Sequence, residues 1–224
     1  MPKPKLPDKD FRWTPELAYV IGLLVTDGNM SKDGRHITMR SSDAQLLETF
    51  KECLNISTEI KQSKNDGWAR KPSYRAQFSY VQFYRWLLKI GLFPAKTYTI
   101  GKIDLPDKYF KDFLRGHLDG DGCILTHKDH YNTHKNPKYI YTRLWVKFMS
   151  ASKIHMDWLR ENIHRLLSVK GHFSERKPWR EDQTASTWNL KFAKKESIKL
   201  LSSLYYQPNV PCLIRKRKIA EKFI

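Results

Sequence analysis

Two stretches, Val20-Ile-Gly-Leu-Leu-Val-Thr-Asp-Gly28 and Leu114-Arg-Gly-His-Leu-Asp-Gly-Asp-Gly122, lie over each other without a gap. Gly22 falls on Gly116, Leu24 on Leu118, Asp27 on Asp121 and Gly28 on Gly122, an offset of 94 residues. Solenoid repeats are about 20–50 residues long, so each copy heads a half-domain instead. The residues after each copy also match in kind. After Gly28, a turn at 31–34 leads into His36-Ile-Thr-Met-Arg40, whose alternation predicts a half-buried strand. A helix with Leu46, Leu47, Phe50, Cys53 and Leu54 on one face comes next. Strands within 58–63 and 74–80 come after it, and then a helix carrying Phe83, Trp86, Leu87 and Ile90. After Gly122 the order returns. Strands are expected near 123–127 and 139–149, then a helix with Ile154, Trp158, Leu159, Ile163, Leu166 and Leu167. Strands near 171–175 and 186–192 and a helix with Ile198, Leu201 and Leu204 complete the second half.

The expected fold class is therefore α+β, with two αββαββα half-domains related by a pseudo-twofold axis. Each would present a curved antiparallel sheet. The expected divisions are an N-terminal arm at 1–13, half-domains at 14–100 and 109–207, a linker at 101–108 and a basic tail at 208–224.

Composition narrows the partners. Of the 224 residues, 41 are Lys or Arg and 23 are Asp or Glu, a formal net charge of +18. Such an excess repels itself in a compact chain unless a polyanion neutralises it, which points to nucleic acid. No long apolar run and no basic amphipathic helix with an aromatic edge suggests a membrane partner. Cys53, Cys123 and Cys212 stand isolated, so neither a disulfide framework nor a structural zinc site is expected. The lysine-rich start has no apolar stretch after it, so the chain is expected to be intracellular, in a bacterial cytoplasm or an organelle, and not secreted.

The chemistry rests on the ends of the two repeats. Gly22 and Thr26, like Gly116 and Gly120, are small residues four apart on their helices, and Ala18 extends the first stripe. Small residues at this spacing let two helix backbones approach closely. Packing along the stripes would bring Asp27 and Asp121 together at the helix ends. Adjacent carboxylates resist joint ionisation unless a cation lies between them. Hard oxygen donors without Cys or paired His suit Mg2+, with Mn2+ as a substitute. A calcium loop from Asp119 would need Gly at position 124 and Glu at 130, where Ile124 and His130 stand. Asp-Gly alone is ordinary turn chemistry at a helix end, but its recurrence in a matched context argues for more.

The two nonapeptides resemble the motif of the LAGLIDADG homing endonucleases, in the form that carries both copies on one chain. Gly91-Leu-Phe-Pro-Ala-Lys96, Leu105-Pro and Phe113 to Gly122 resemble that family's passage from the first half into the second motif. Cys212-Leu-Ile-Arg-Lys216 resembles its C-terminal ending. The likeness runs from residue 14 to about 218. The first motif departs from the pattern at Val25 and Thr26, where an Asp and a small residue are usual. The resemblance implies a monomeric, intron-encoded enzyme that binds double-stranded DNA and hydrolyses both strands, one per motif. It implies catalytic roles for Asp27, Asp121, Lys96 and Lys216, and a metal set of Asp27, Asp121, Thr26 and Gly120. The alternative is a non-cleaving nucleic-acid binder of similar fold, either a maturase acting on its own intron RNA or a transcription regulator.

Alternation along the strands gives the expected DNA surface. His36 and Arg40, Arg75 and Gln77, Arg143 and Lys147, and Asn189 and Lys191 each share a polar face opposite an apolar one. These are base-reading residue types: Arg for guanine, Gln or Asn for adenine. Trp145 breaks the polar pattern of its strand and could instead close a core edge. The basic loops at 63–71 and 128–138 are expected to touch phosphates. His127, His130 and His134 lie in or beside the second loop, but apart from Asp129 no acid or Cys accompanies them at zinc spacing. Ser41 and Ser150, at strand-to-helix junctions, suit either a water held beside the site or a helix cap.

Overall fold

The computed structural model describes residues 10–63, 72–178 and 185–224. The first half runs α1 (Pro15–Thr26), β1 (Gly28–Met30), β2 (His36–Ser41), α2 (Ala44–Leu54), β3 (Ile60–Ser63), β4 (Ser73–Ser79) and α3 (Val81–Lys89). The second runs α4 (Phe110–Asp119), β5 (Cys123–Asp129), β6 (Tyr141–Ser150), α5 (Lys153–Leu167), β7 (His172–Arg176), β8 (Thr187–Phe192) and α6 (Lys194–Leu204). Each half is thus αββαββα, and its four strands form an antiparallel sheet. The orders are β1-β2-β4-β3 and β5-β6-β8-β7, the same topology twice.

Local chemistry explains the framing of α1. The Thr14 side chain accepts a hydrogen bond from the Leu17 amide at 3.1 Å, and Pro15 occupies the first helical position, where no amide is needed. From Leu17 to Val25 every residue is buried. A helix apolar all round belongs in a molecular centre, and α1 lies there against α4. The glycines set the separation. A Cβ on Gly22 would fall 2.1 Å from the Phe113 carbonyl oxygen, and one on Gly116 would fall 2.0 Å from that of Tyr19. The small-residue stripes therefore do bring backbone against backbone.

Each sheet turns one face to this core. Ile37, Met39 and Ala76 are buried in the first, as are Leu144, Val146, Phe148, Leu190 and Phe192 in the second. The expected linker is packed: Ile103 is buried, the Asp104 amide donates to the Ile90 carbonyl at 2.9 Å, and Asp107 pairs with Arg165 through two contacts of 2.5 and 2.6 Å. The stretch expected as a basic tail contains a helix, α7 (Ile214–Ala220). Cys212, Leu213, Lys216 and Ala220 are buried along it, so its charges alternate with residues that pack inward. Residues 1–9 of the expected arm and 64–71 of the first basic loop lie outside the described residues. Among the described residues, no helix is long and apolar enough to cross a membrane.

Candidate functional site

Asp27 closes the C-terminal end of α1, its amide donating to the Leu23 carbonyl at 2.9 Å. Asp121 lies two residues beyond the end of α4. Between them the chains nearly touch: a Cβ on Gly120 would meet Thr26 Oγ1 at 1.9 Å and Asp27 Oδ2 at 3.0 Å. The Thr26 hydroxyl is turned back onto its own helix, donating to the Leu23 carbonyl at 2.9 Å. Burial, reinforced by the Asp121 charge, pushes the Asp27 pKa up to about 7, against the pull of Lys216 and Lys96. Asp121 lies at the open mouth of the site, yet the protein around it still raises its pKa, with Lys96 and Lys216 opposing. The motif ends thus carry two carboxylates that are reluctant to ionise together, one half-buried and one open to solvent.

Behind each carboxylate is a buried lysine. Lys96 is 8% exposed, and its ammonium donates to the Gly28 carbonyl, just past the first motif helix. Burial lowers its pKa to about 8, while the charges of Asp121 and Asp27 hold it up. Lys216 is 4% exposed and contacts four carbonyl oxygens at the end of the second motif: Leu118 at 2.6 Å, Asp119 at 2.9 Å, Gly120 at 3.3 Å and Gly122 at 2.7 Å. Burial lowers the Lys216 pKa too, with Asp119 opposing. A cation among the free carbonyls of a helix C-terminus is favourable on both hydrogen-bonding and dipole grounds. All four residues expected to be catalytic are therefore at the ends of the paired motif helices.

Three supporting residues escaped the sequence reading. Asp119 is buried; its Oδ2 accepts from the Tyr19 hydroxyl at 2.9 Å and from the Leu213 amide at 2.7 Å, and burial raises its pKa to about 6. Arg115 is fully buried and donates to the Pro211 carbonyl at 2.7 Å, the Leu204 carbonyl at 2.9 Å and Asp112 at 2.8 Å. Gln45 reaches across from the first half, donating to the Cys212 carbonyl at 3.1 Å and accepting from the Ile214 amide at 3.0 Å. Together they strap residues 204–214 to both halves and so place Lys216. The one signal in the sequence was the mismatch between the motif copies, where Asp119 stands opposite Val25.

The expected base readers mostly lie on the sheet faces away from the core. In the first sheet, Thr38 pairs with Gln77, Arg40 with Arg75, and His36 with Ser79. His36, Arg75, Gln77 and Lys61 line an open depression of about 350 Å³ on that face. In the second, Lys147 pairs with Lys191, and Arg143 is exposed but held by Asp129 at 2.6 Å. Asn189 departs from the expectation. Its strand alternates as read, but the side chain is 6% exposed, so it offers no edge to a ligand. It lies between Met149 and Ser174 on the neighbouring strands, which flank it in the middle of the sheet. Ser41 and Ser150 accept from the amides of Asp43 and Ser152, at 3.0 and 3.1 Å, so each shapes the turn that starts a helix.

Comparison with known proteins agrees with this fold. Residues 14–91 match the LAGLIDADG-like domain. The I-LtrWI LAGLIDADG homing endonuclease, solved bound to target DNA, superimposes with a TM-score of 0.60 at 15% identity over 93% of this chain and 88% of that one. The LAGLIDADG meganuclease I-AabMI, bound to uncleaved DNA, gives 0.61 at 13% identity over 94% and 89%. Full-length WhiA from Thermatoga maritima gives 0.56 at 15% identity, over 94% of this chain and 60% of that one. No curated protein matches by sequence. The first half of the chain thus matches a LAGLIDADG-like domain, and the whole chain shares the fold of these structures. Its architecture is that of the two-domain LAGLIDADG homing endonucleases.

Proposed function

We propose that this chain is a site-specific DNA endonuclease that breaks both strands of a long target by hydrolysis dependent on a divalent metal. The observation that carries the reading is the convergence of Asp27, Asp121, Lys96 and Lys216 at the ends of two helices packed backbone to backbone. The donor set fits Mg2+ or Mn2+: two hard carboxylates, one open to solvent, whose joint ionisation is costly without a cation. Thr26 and Gly120 would complete the metal surroundings from the chain just before each aspartate. A bound divalent ion would activate water and stabilise the leaving oxygen of a phosphodiester. The chain's own groups do the rest. Lys96 and Lys216 place positive charge behind the carboxylates, and the polar sheet faces position the duplex on either side. The net charge of +18 supplies the sequence-independent attraction to phosphate. The protein would act as a monomer encoded within an intron.

The test uses supercoiled plasmid carrying the fused exons that flank the gene, incubated with wild type, Asp27→Asn and Asp121→Asn. Wild type should linearise the plasmid in Mg2+ or Mn2+. Each variant should leave it intact while binding it equally or more tightly, because an acid near phosphate has been removed. Tight binding by wild type without linearisation in either metal would overturn the nuclease. It would favour a non-cleaving nucleic-acid binder of similar fold.

A further inference from the structure

We infer that Leu125 and Trp145 form an apolar reading patch on the second sheet that contacts thymine methyl groups in one half of the target. The inference rests on the duplex-binding part of the proposed function. Leu125 and Trp145 are directly opposite each other in the β5–β6 ladder. The core face of these strands is occupied by Ile124, Leu144 and Val146, all buried, so Leu125 and Trp145 project from the other side. Leu125 is 48% exposed, and Trp145 is only half-buried, so the ring does not close a core edge. The Lys191 ammonium stands 4.6 Å from the Trp145 ring centre, a cation–π contact that holds the ring on the sheet.

The surroundings identify the occupant. His127 and Arg143 pair on one side of the patch, and Lys147 and Lys191 pair on the other. Cationic flanks complement phosphate, and two side chains are far too little apolar surface for a protein interface. In the major groove the apolar group that distinguishes one base from the rest is the thymine 5-methyl. Among the described residues the first sheet has no counterpart, for its equivalent face carries Thr38, Gln77, Arg40, Arg75 and His36. One half of the target would then be read by hydrogen bonds alone, and the other partly by van der Waals contact.

The test works without knowing the target sequence. Binding sites are enriched from a randomised duplex pool with the full chain. Each thymine of the enriched site is then replaced singly by deoxyuridine, which removes the methyl and nothing else. One or two adjacent positions should lose about fourfold in affinity, the worth of one buried methyl. Leu125→Ser should bind thymine and deoxyuridine equally at those positions, with the rest of the site unchanged. The inference is overturned if no position distinguishes the two bases, or if Leu125→Ser keeps the discrimination. Failure to enrich any duplex would instead overturn the DNA-binding reading, and this inference with it.

Discussion

The Lys216 ammonium lies 2.6 Å from the carbonyl oxygen of Leu118 and within hydrogen-bonding reach of three more carbonyls, whereas Lys96, among the described residues, bonds that of Gly28 alone. The two lysines hold equivalent places in the repeat but differ in structural duty. Lys216 satisfies the end of α4, and its removal would leave several buried acceptors unpaired.

Lys216→Met should therefore destabilise the fold by about 2–4 kcal/mol, while Lys96→Met should cost at most about 1–2 kcal/mol. Urea denaturation of both variants measures this. In cleavage assays Lys96→Met should be slowed by roughly 100-fold or more with affinity within a few-fold, since its charge would act mainly in the transition state. If affinity collapsed while bound DNA were cut at the normal rate, Lys96 would be a phosphate anchor instead.

The glycine stripes give a test that needs no DNA. Gly116→Ala would place a methyl 2.0 Å from the Tyr19 carbonyl oxygen and force α1 and α4 apart. The overpacking should cost more than about 3 kcal/mol, although alanine is the better helix former by about 1 kcal/mol. At Gly101 an added Cβ would meet only Ile154, at 3.7 Å, so Gly101→Ala should be nearly neutral. Equal thermal midpoints for the two variants would contradict the backbone contact.

Much of this molecule was legible because its signals are local or periodic. Matched motif copies, strand alternation and apolar helix faces depend on neighbours a few residues away, and they gave the element order and the meeting of Asp27 with Asp121. The strap at 204–214 was not legible, because it depends on pairs such as Tyr19 with Asp119 and Arg115 with Pro211, each about a hundred residues apart. A fully buried arginine is indistinguishable in sequence from a solvated one. For the same reason α7 read as a charged tail: nothing local shows that Lys216 turns inward while Arg215 is exposed. Asn189 failed differently. Alternation fixes the face a side chain takes, but its exposure depends on how neighbouring strands crowd it.

Base preference should be divisible between the sheets. Arg75 lies beside Arg40 across the β2–β4 ladder and lines the open depression with Gln77. Arg75→Ala should relax preference at one or two adjacent base pairs, at about 1–3 kcal/mol, while the other half of the site is read as before. Selection of binding sites from a randomised library would show it. A uniform loss across all sequences would mean that Arg75 touches only backbone.

The burial of Asp27, reinforced by the Asp121 charge, makes stability depend on pH. Asp27 titrates at about 7 in the fold, against about 3.8 when unhindered. An acid whose folded pKa is raised binds its proton more tightly in the native state. Its stabilising contribution is complete below about pH 3.8 and is lost as the pH rises through about 7. The metal-free wild type should therefore weaken over that window, and Asp27→Asn, which stays neutral, should not lose this contribution. At about pH 8 the variant should be more stable than wild type by about 1–3 kcal/mol, the lower values reflecting partial solvation of the site. Near pH 4 that advantage should vanish. Mg2+ should raise the midpoint of wild type at about pH 8, because a cation that binds only the native carboxylates stabilises that state by mass action. It should do much less for Asp27→Asn. Calorimetry of both proteins with and without Mg2+ reads all of this apart from cleavage. Parallel pH profiles for the two, with the same response to Mg2+, would mean that Asp27 is neither held protonated by its burial beside Asp121 nor engaged by the cation.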